Sequence, residues 1–363
     1  MKILHTEASS GWGGQEIRIL TEALGMRERG HEILFATAEG AKLAEKARVE
    51  GFKVYEIPLQ LKKGFRSLQN LVKIIRKHQI DIVNTHSSAD AWLGGIAGKL
   101  TGTSVIRTRH LSNPIKKGLN SLVLYNFLAN YTATTCDEVA RRIRQQARLT
   151  ENRCQSIPTG VNPDLCQADQ QDREKFRTEH GIQENDLVIG TLCVIRSWKG
   201  ISELLQAAKI LKDHSHIKWL IVGDGTSKEQ FMKEAAELGV TDRVIFAGYH
   251  SPPYSALAAM DIFALLSTRS EGVSQATLQA AFLQKPLITT DIGGLPEICL
   301  EGTTGFGVSC FSPNQVAEKV LLLGTNAELR KEFGSQARNL VMEKYCLHHT
   351  LDAMEKLYHK TTQ

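Results

Sequence analysis

Short apolar runs rich in β-branched residues alternate with longer stretches of helical periodicity along the whole chain. In the first half the short runs fall at Lys2–His5, Glu32–Ala36, Lys53–Ile57, Ile80–Thr85, Val105–Thr108, Tyr131–Thr134 and Cys154–Ile157. The spacing between them predicts helices such as Gln15–Arg29, Ser67–His78, Ala89–Leu100 and Glu138–Arg148. Gly30 and Gly102 stand where helix C-caps belong. Strands separated by helices form a mostly parallel sheet with both faces covered.

The alternation pauses at Pro158-Thr-Gly-Val-Asn-Pro163 and across a polar stretch, Gln167–Asn185, then restarts. Strands are expected at Val188–Val194, Ile217–Val222, Val244–Ala247, Ile262–Leu266 and Leu287–Thr290. Helices are expected at Ile201–Lys212, Lys228–Leu238 and Ser274–Gln284, with a helical tail over Thr350–Thr361. The pattern predicts an α/β protein with two Rossmann-like, doubly wound domains facing across a cleft. They would take residues 1–164 and 165–345, with a C-terminal helix in 346–363 packing back on the first. Ligands of such sheets bind outside the carboxyl ends of the strands.

Composition narrows the class. With 363 residues, 42% apolar and 6% aromatic, the chain reads as soluble and globular. Its seven cysteines are scattered and form no C-x-x-C, which argues for a reducing compartment and against a disulfide framework or zinc site. Met1-Lys-Ile-Leu-His5 is too short an apolar run for a secretory signal. No stretch approaches the roughly 20 apolar residues that span a bilayer. A cytoplasmic protein is expected.

Charge is unevenly placed. Residues 1–164 hold 24 Lys and Arg against 15 Asp and Glu, a balance of +9; the remainder holds 20 against 24, a balance of −4. Basic residues cluster at Lys62, Lys63 and Arg66, at Lys73, Arg76 and Lys77, at Arg107, Arg109, Lys116 and Lys117, and at Arg141, Arg142, Arg144 and Arg148. They are either solvated helix faces or a surface for an anionic membrane or anionic acceptor. Nucleic acid ranks lower, because no binding module accompanies them.

The segment Glu271-Gly-Val-Ser-Gln-Ala-Thr-Leu-Gln279 carries the most chemistry. It follows an apolar strand, and Ser274 can cap the next helix, whose free N–H groups and dipole attract anions. Arg196-Ser-Trp-Lys199-Gly200 follows an earlier strand and supplies two cations suited to a diphosphate. The alternatives are an ordinary βα turn and a common surface pair. Gly13 and Gly14 in the first loop allow close backbone approach to a ligand, or mark a flexible turn; the loop fits neither a dinucleotide fingerprint nor a Walker loop. His86 and His110 each follow a strand at the carboxyl edge, His110 beside Arg107 and Arg109. Either can be structural. No strict D-x-D and no nucleophile elbow occur.

Together these residues resemble glycosyltransferase family 4, retaining enzymes of GT-B architecture. The resemblance runs through Gly13-Gly14-Gln15-Glu16, Arg29-Gly30-His31-Glu32, Asp81-Ile-Val-Asn-Thr-His86 and Ile157-Pro-Thr-Gly-Val161. It continues through Arg196 to Gly200, Gly223-Asp-Gly225, Asp242 to Gly248, and Ser270-Glu-Gly-Val-Ser274 to Gln279. It implies that Arg196 and Lys199 hold the donor diphosphate and that Glu271 contacts the donor sugar. Gly272 and the N–H groups of Val273 and Ser274 would meet sugar or phosphate. Gly13 and Gly14 would close on the donor phosphate, with Gly223, Gly248 and Gln279 completing the donor site. His110, with His86 as second choice, would lie near the scissile bond, and Arg107 and Arg109 with the two histidines would bind acceptor. Two positions depart from the family: Gln279 replaces the second Glu of E-x7-E, which binds the ribose hydroxyls, and Thr159 and Asn162 replace the linker's usual Asn and Asp.

The resemblance implies a retaining, metal-independent glycosyltransferase with no cofactor. Its donor would be a nucleotide sugar of UDP or GDP type. Its acceptor would be a glycan, a lipid-linked sugar or a lipopolysaccharide-type molecule. The protein would be cytoplasmic or peripheral on the inner face of the cell membrane. A sugar-nucleotide 2-epimerase and a catalytically silent sugar-nucleotide-binding protein are the alternative readings.

Overall fold

The computed structural model describes residues 1–110, 115, 118–269 and 271–362, without the side chain of Lys63. Lys116, Lys117 and Ser270 of the expectations above lie outside the described residues. The chain divides into two compact units, Met1–Thr159 with the residues from His348 onward, and Gly160–Leu347.

The first unit contains β1 (Lys2–Glu7), α1 (Gly14–Glu28), β2 (Glu32–Thr37), α2 (Lys42–Val49), β3 (Lys53–Glu56), α3 (Gly64–His78), β4 (Ile82–Thr85), α4 (Ser88–Thr101) and β5 (Ser104–Arg109). It continues with α5 (Leu119–Leu122), a π-helical turn over Val123–Leu128, β6 (Tyr131–Thr134), α6 (Asp137–Ala147) and β7 (Cys154–Ser156). The seven strands pair in the order β3-β2-β1-β4-β5-β6-β7, and every pairing is parallel. The inner strands, β1, β4 and β6 among them, are buried on both faces, as expected for a sheet covered by helices on both sides.

The second unit contains α7 (Gln170–Glu179), β8 (Leu187–Leu192), α8 (Ile201–Ile210), β9 (Ile217–Val222), α9 (Lys228–Leu238), β10 (Val244–Gly248), α10 (Tyr254–Ala259) and β11 (Ile262–Leu265). It closes with α11 (Gln275–Phe282), β12 (Leu287–Thr290), β13 (Gly305–Val308), α12 (Pro313–Thr325) and α13 (Ala327–Lys344). Its six strands pair in parallel as β10-β9-β8-β11-β12-β13. The core gathers Ile189, Trp219, Ile221, Ile262 and Phe333.

The polar stretch read as a pause contains α7. Asp169 caps it through a reciprocal box: the Asp172 N–H donates to the Asp169 carboxylate at 2.9 Å, and the Asp169 N–H to Asp172 at 3.2 Å. Its charged face is then neutralised from a distance. Asp261 accepts from Arg173 at 2.9 Å and from Arg177 at 2.6 Å, and buried Arg177 also donates to the carbonyls of Ala259, Gln183, Glu184 and Asp186. Hydrophobic periodicity cannot reveal a helix held by such ion pairs.

The last helix, α14 (Leu347–Thr362), returns to the first unit. Arg29 donates to Asp352 at 2.7 Å and to Glu355 at 2.8 Å. Buried Tyr358 donates to Glu22 at 2.8 Å, and Leu351 packs so tightly on Gly25 that a Cβ there would lie 2.4 Å from it. Among the described residues no helix is long and apolar enough to cross a membrane.

Candidate functional site

In each sheet the strand order reverses once, between β1 and β4 in the first and between β8 and β11 in the second. These switch points open the crevices where doubly wound sheets bind ligands. Most of the singled-out residues gather at these two places.

In the second unit the loop after β8 meets the loop after β11. The Lys199 ammonium donates to Glu271 Oε1, as does the Ser267 hydroxyl at 2.8 Å. Thr290 holds the Ser267 carbonyl at 2.7 Å, and the Thr268 N–H donates to the Trp198 carbonyl at 2.8 Å. Two glycines allow this approach. A Cβ on Gly200 (φ +72) would lie 2.0 Å from the Leu266 carbonyl oxygen, and one on Gly293 (φ +59) would lie 1.9 Å from that of Glu271. Ser274 caps α11, accepting from the Thr277 N–H at 3.4 Å, so the helix start lies three residues past Glu271. Gly272 and half-buried Ser274 flank buried Val273. Arg196 is exposed and sits over Trp198, its guanidinium 5.2 Å from the ring centroid. Arg269, not singled out from sequence, covers the same ring at 5.5 Å. Gly223 follows β9, and its N–H donates to the Gly248 carbonyl at 2.7 Å. Gln279 lies half-buried on α11.

In the first unit the switch point carries a different set. His86 follows β4; its N–H donates to Asp90 at 2.8 Å, and Thr6 donates to the same carboxylate oxygen at 3.0 Å. His86 Nδ1 lies 3.0 Å from His110 Nε2, so the first and second choices for the family histidine are hydrogen-bonded neighbours. His86 Nε2 lies 2.9 Å from His5 Nδ1 on β1. Glu7, at the end of β1, accepts from the Ser9 N–H at 2.7 Å and from the side chains of Ser87 and Gln15. Gly13 caps α1 by its backbone, with its own N–H donating to Glu16 at 2.8 Å, and Gly14 opens the helix. Arg107 is buried and donates to the Ser87 carbonyl at 3.2 Å. Both Arg107 and Arg109 turn to Tyr125, the first over its ring at 5.1 Å, the second donating to its hydroxyl at 3.2 Å.

Burial sets the charges here. It lowers His5 to about 3 and holds His86 well below the usual range, helped by the positive neighbours Arg18 and Arg107. His110 is likewise held down, first by desolvation and then by Arg18, although the residue as a whole is only half-buried. Burial and the charge of Asp90 push Glu7 up to about 7. The three histidines of this site are therefore neutral at neutral pH, with the guanidinium of Arg107 beside them.

His5, Glu7, Arg18 and Asp90 were not legible as functional residues. His5 and Glu7 sit inside an apolar strand, and Arg18 and Asp90 lie on helices whose inward face only the fold reveals. Arg18 is buried 3.8 Å from Glu22, and none of its three side-chain nitrogens has a hydrogen-bond partner among the described residues.

Two family profiles match the chain almost end to end. Residues 12–165 match Glycosyltransferase Family 4, and residues 172–340 match Glycosyl transferases group 1. The chain is 23% identical over 350 residues to N-acetyl-alpha-D-glucosaminyl L-malate synthase of Bacillus anthracis, covering 92% of this chain and 90% of that one. It is 24% identical over 350 residues to the capsular polysaccharide biosynthesis glycosyltransferase CapM of Staphylococcus aureus, covering 92% and 91%. Among solved structures, a glycosyltransferase from Rickettsia africae superposes with a TM-score of 0.91 at 23% identity, covering 100% of this chain and 98% of that one.

Proposed function

Because the chain belongs to glycosyltransferase family 4 and has the GT-B fold, we propose that it moves a sugar, with retention and without a metal ion, from a nucleotide-diphosphate sugar of UDP or GDP type to a glycan, lipid-linked or lipopolysaccharide-type acceptor. The observation that carries the donor assignment is the Lys199–Glu271 pair at the second switch point, three residues before the start of α11. A bound diphosphate would draw Lys199 and Arg196 and meet the N–H groups at Val273 and Ser274. It would thereby free the Glu271 carboxylate for the hydroxyls of the donor sugar. The two cations supply the positive charge that a departing diphosphate needs. In front-face transfer, a donor phosphate oxygen takes the acceptor proton, and the protein contributes position and charge.

The first unit would take the acceptor. Its neutral cluster of His86 and His110 suits hydroxyl groups, and its positive balance suits an anionic membrane face. Leu61 and Phe65, 59% and 77% exposed, stand beside Lys62 and Arg66 at the start of α3 and support peripheral attachment to the inner face of the cell membrane.

The test is a thermal-shift series against UDP, GDP and ADP, with and without EDTA. One nucleoside diphosphate should raise the melting temperature, and EDTA should leave the rise intact. Binding that strictly needs a divalent ion sinks the metal-free assignment, and no shift with any of them sinks the donor site.

A further inference from the structure

Three histidines from three strands make a single hydrogen-bonded row at the first switch point. His86 stands in the middle and uses both ring nitrogens, Nε2 towards His5 Nδ1 at 2.9 Å and Nδ1 towards His110 Nε2 at 3.0 Å. The His5 and His86 rings lie 4° from parallel with centroids 5.2 Å apart. At that nitrogen separation the rings meet edge to edge within one plane, where the lone pair of an imidazole lies.

A neutral imidazole has one N–H and one lone pair. The row can therefore run in only two ways, and all three rings must agree. If it runs outward, His5 and His86 donate from Nδ1, and His110 accepts at Nε2 and carries its proton on Nδ1. If it runs inward, His110 and His86 donate from Nε2, His5 accepts at Nδ1, and the unused nitrogen of His110, Nδ1, keeps a bare lone pair.

Permanent charge separates the two. Arg107 lies on β5, which ends just before His110, and is bonded to the carbonyl of Ser87, the residue after His86. Arg18 on α1 also acts on His86 and His110 and helps keep both neutral. The facing acids, Asp90 on α4 and Glu7 at the end of β1, are both raised by burial; Asp90 spends one oxygen on the His86 N–H, and Glu7 accepts from Ser87. Cations at the His110 end repel the unused N–H and favour the unused lone pair there. The inward row also leaves every ring protonated on Nε2, the form that free histidine prefers. Against this stands one cost, since His5 Nε2 is buried without a partner and would carry a proton. That nitrogen is unpartnered in either direction, so the cations and the ring preference decide.

We propose that His5 and His86 are positioning residues that hold His110 in a single neutral form, protonated on Nε2, so that its Nδ1 accepts a hydrogen bond from a substrate hydroxyl. The substrate part rests on the reading of His110 as an acceptor-side residue; the tautomer does not.

The test is nitrogen-15 NMR on the full chain with labelled histidine rings, the His110 signal being identified by its loss in His110→Gln. His110 should be an Nε2–H tautomer and stay so across roughly pH 6–8, where a free histidine titrates. His5→Phe removes the terminal acceptor. A ring C–H then faces His86 Nε2, where an N–H would clash but a lone pair fits, so His86 should turn its proton to Nδ1, and His110, which has no hydrogen bond to residue 5 among the described residues, should switch to Nδ1–H. His5→Asn retains a carbonyl acceptor and should keep His110 on Nε2. An Nδ1–H or titrating His110 in the unaltered protein overturns the proposal, whether or not the variants fold. So does a His5→Phe protein whose His110 is unchanged. If the tautomers follow the prediction but His110→Ala turns over normally, the acceptor-side reading falls and the positioning row stands.

Discussion

The two switch points treat ionisable groups in opposite ways. Between β1 and β4 the groups are enclosed, and desolvation removes their charge: His5, His86 and His110 are held neutral and Glu7 is pushed up to about 7. Between β8 and β11 the groups are paired instead, Lys199 donating to Glu271 with the two side chains 18% and 17% exposed and Arg196 exposed beside them. Burial without a counter-ion favours the neutral form, whereas a partly wet pair retains both charges. One fold, used twice, thus yields a neutral polar crevice suited to sugar hydroxyls and a charged one suited to a diphosphate.

The largest expected effect tests the charged side. On the proposed donor assignment, Lys199→Ala removes a cation placed where negative charge would grow in the transition state. Turnover should fall by roughly 10²–10³-fold, the scale of losing one preorganised donor. The rate of nucleoside diphosphate release under saturating substrates measures it. Near-normal turnover would mean that the pair only braces the two loops.

The neutral side is tested through pH. The folded protein holds a proton on Glu7 up to about 7, and the unfolded chain releases it near the ordinary glutamate value of 4.5. Stability from this group is therefore complete below the unfolded value and declines as pH rises through the folded one. The loss is on the order of 3 kcal/mol at most, shared with Asp90 because the two titrate together. Denaturant unfolding near pH 5 and near pH 8 should show Glu7→Gln losing less stability with rising pH than the unaltered protein. Parallel pH profiles for the two proteins would place the Glu7 titration elsewhere.

The same contrast explains what could be read from sequence. The charged crevice is built from two contiguous segments, 196–200 and 271–279, so strand, turn and helix start were visible in order. The neutral crevice takes single residues from β1, α1, β4, α4 and β5, which parallel pairing brings together; for example, Thr6 pairs with Thr85 and Thr85 with Arg107. Of these, only His86, His110 and the neighbouring Arg107 and Arg109 stood out. Strand order was legible throughout the first sheet because short β-rich runs mark it, whereas α2 was not read and α7 was hidden by its reliance on Asp261.

The surface of the first unit provides the next test. Phe65→Ser should weaken binding of the full chain to anionic vesicles by about 2 kcal/mol, the worth of one buried aromatic side chain. Added salt should weaken it further, since exposed charges are screened over about 8 Å at physiological ionic strength. Equal binding to neutral and anionic vesicles would remove the electrostatic part, and an unaffected Phe65→Ser protein would remove the apolar part.

The smallest effect concerns the position where the charged crevice itself departs from its family. A ribose presents two adjacent hydroxyls, and a carboxylate can accept from both. Gln279 has one oxygen that accepts and an amide that only donates, and it sits half-buried on α11 one turn beyond capping Ser274. If the ribose sits here, one of its two bonds must reorient or pass to water, and the other loses its charge assistance. On that assignment the second switch point would keep charge for the diphosphate and give it up for the ribose. Gln279→Glu should tighten nucleoside diphosphate binding by on the order of 1–2 kcal/mol, roughly 5–30-fold, and sharpen discrimination against the deoxyribose analogue. Calorimetry on the two proteins decides. Unchanged or weaker binding would show that the ribose is held by other residues, and that the charged crevice ends at the helix start.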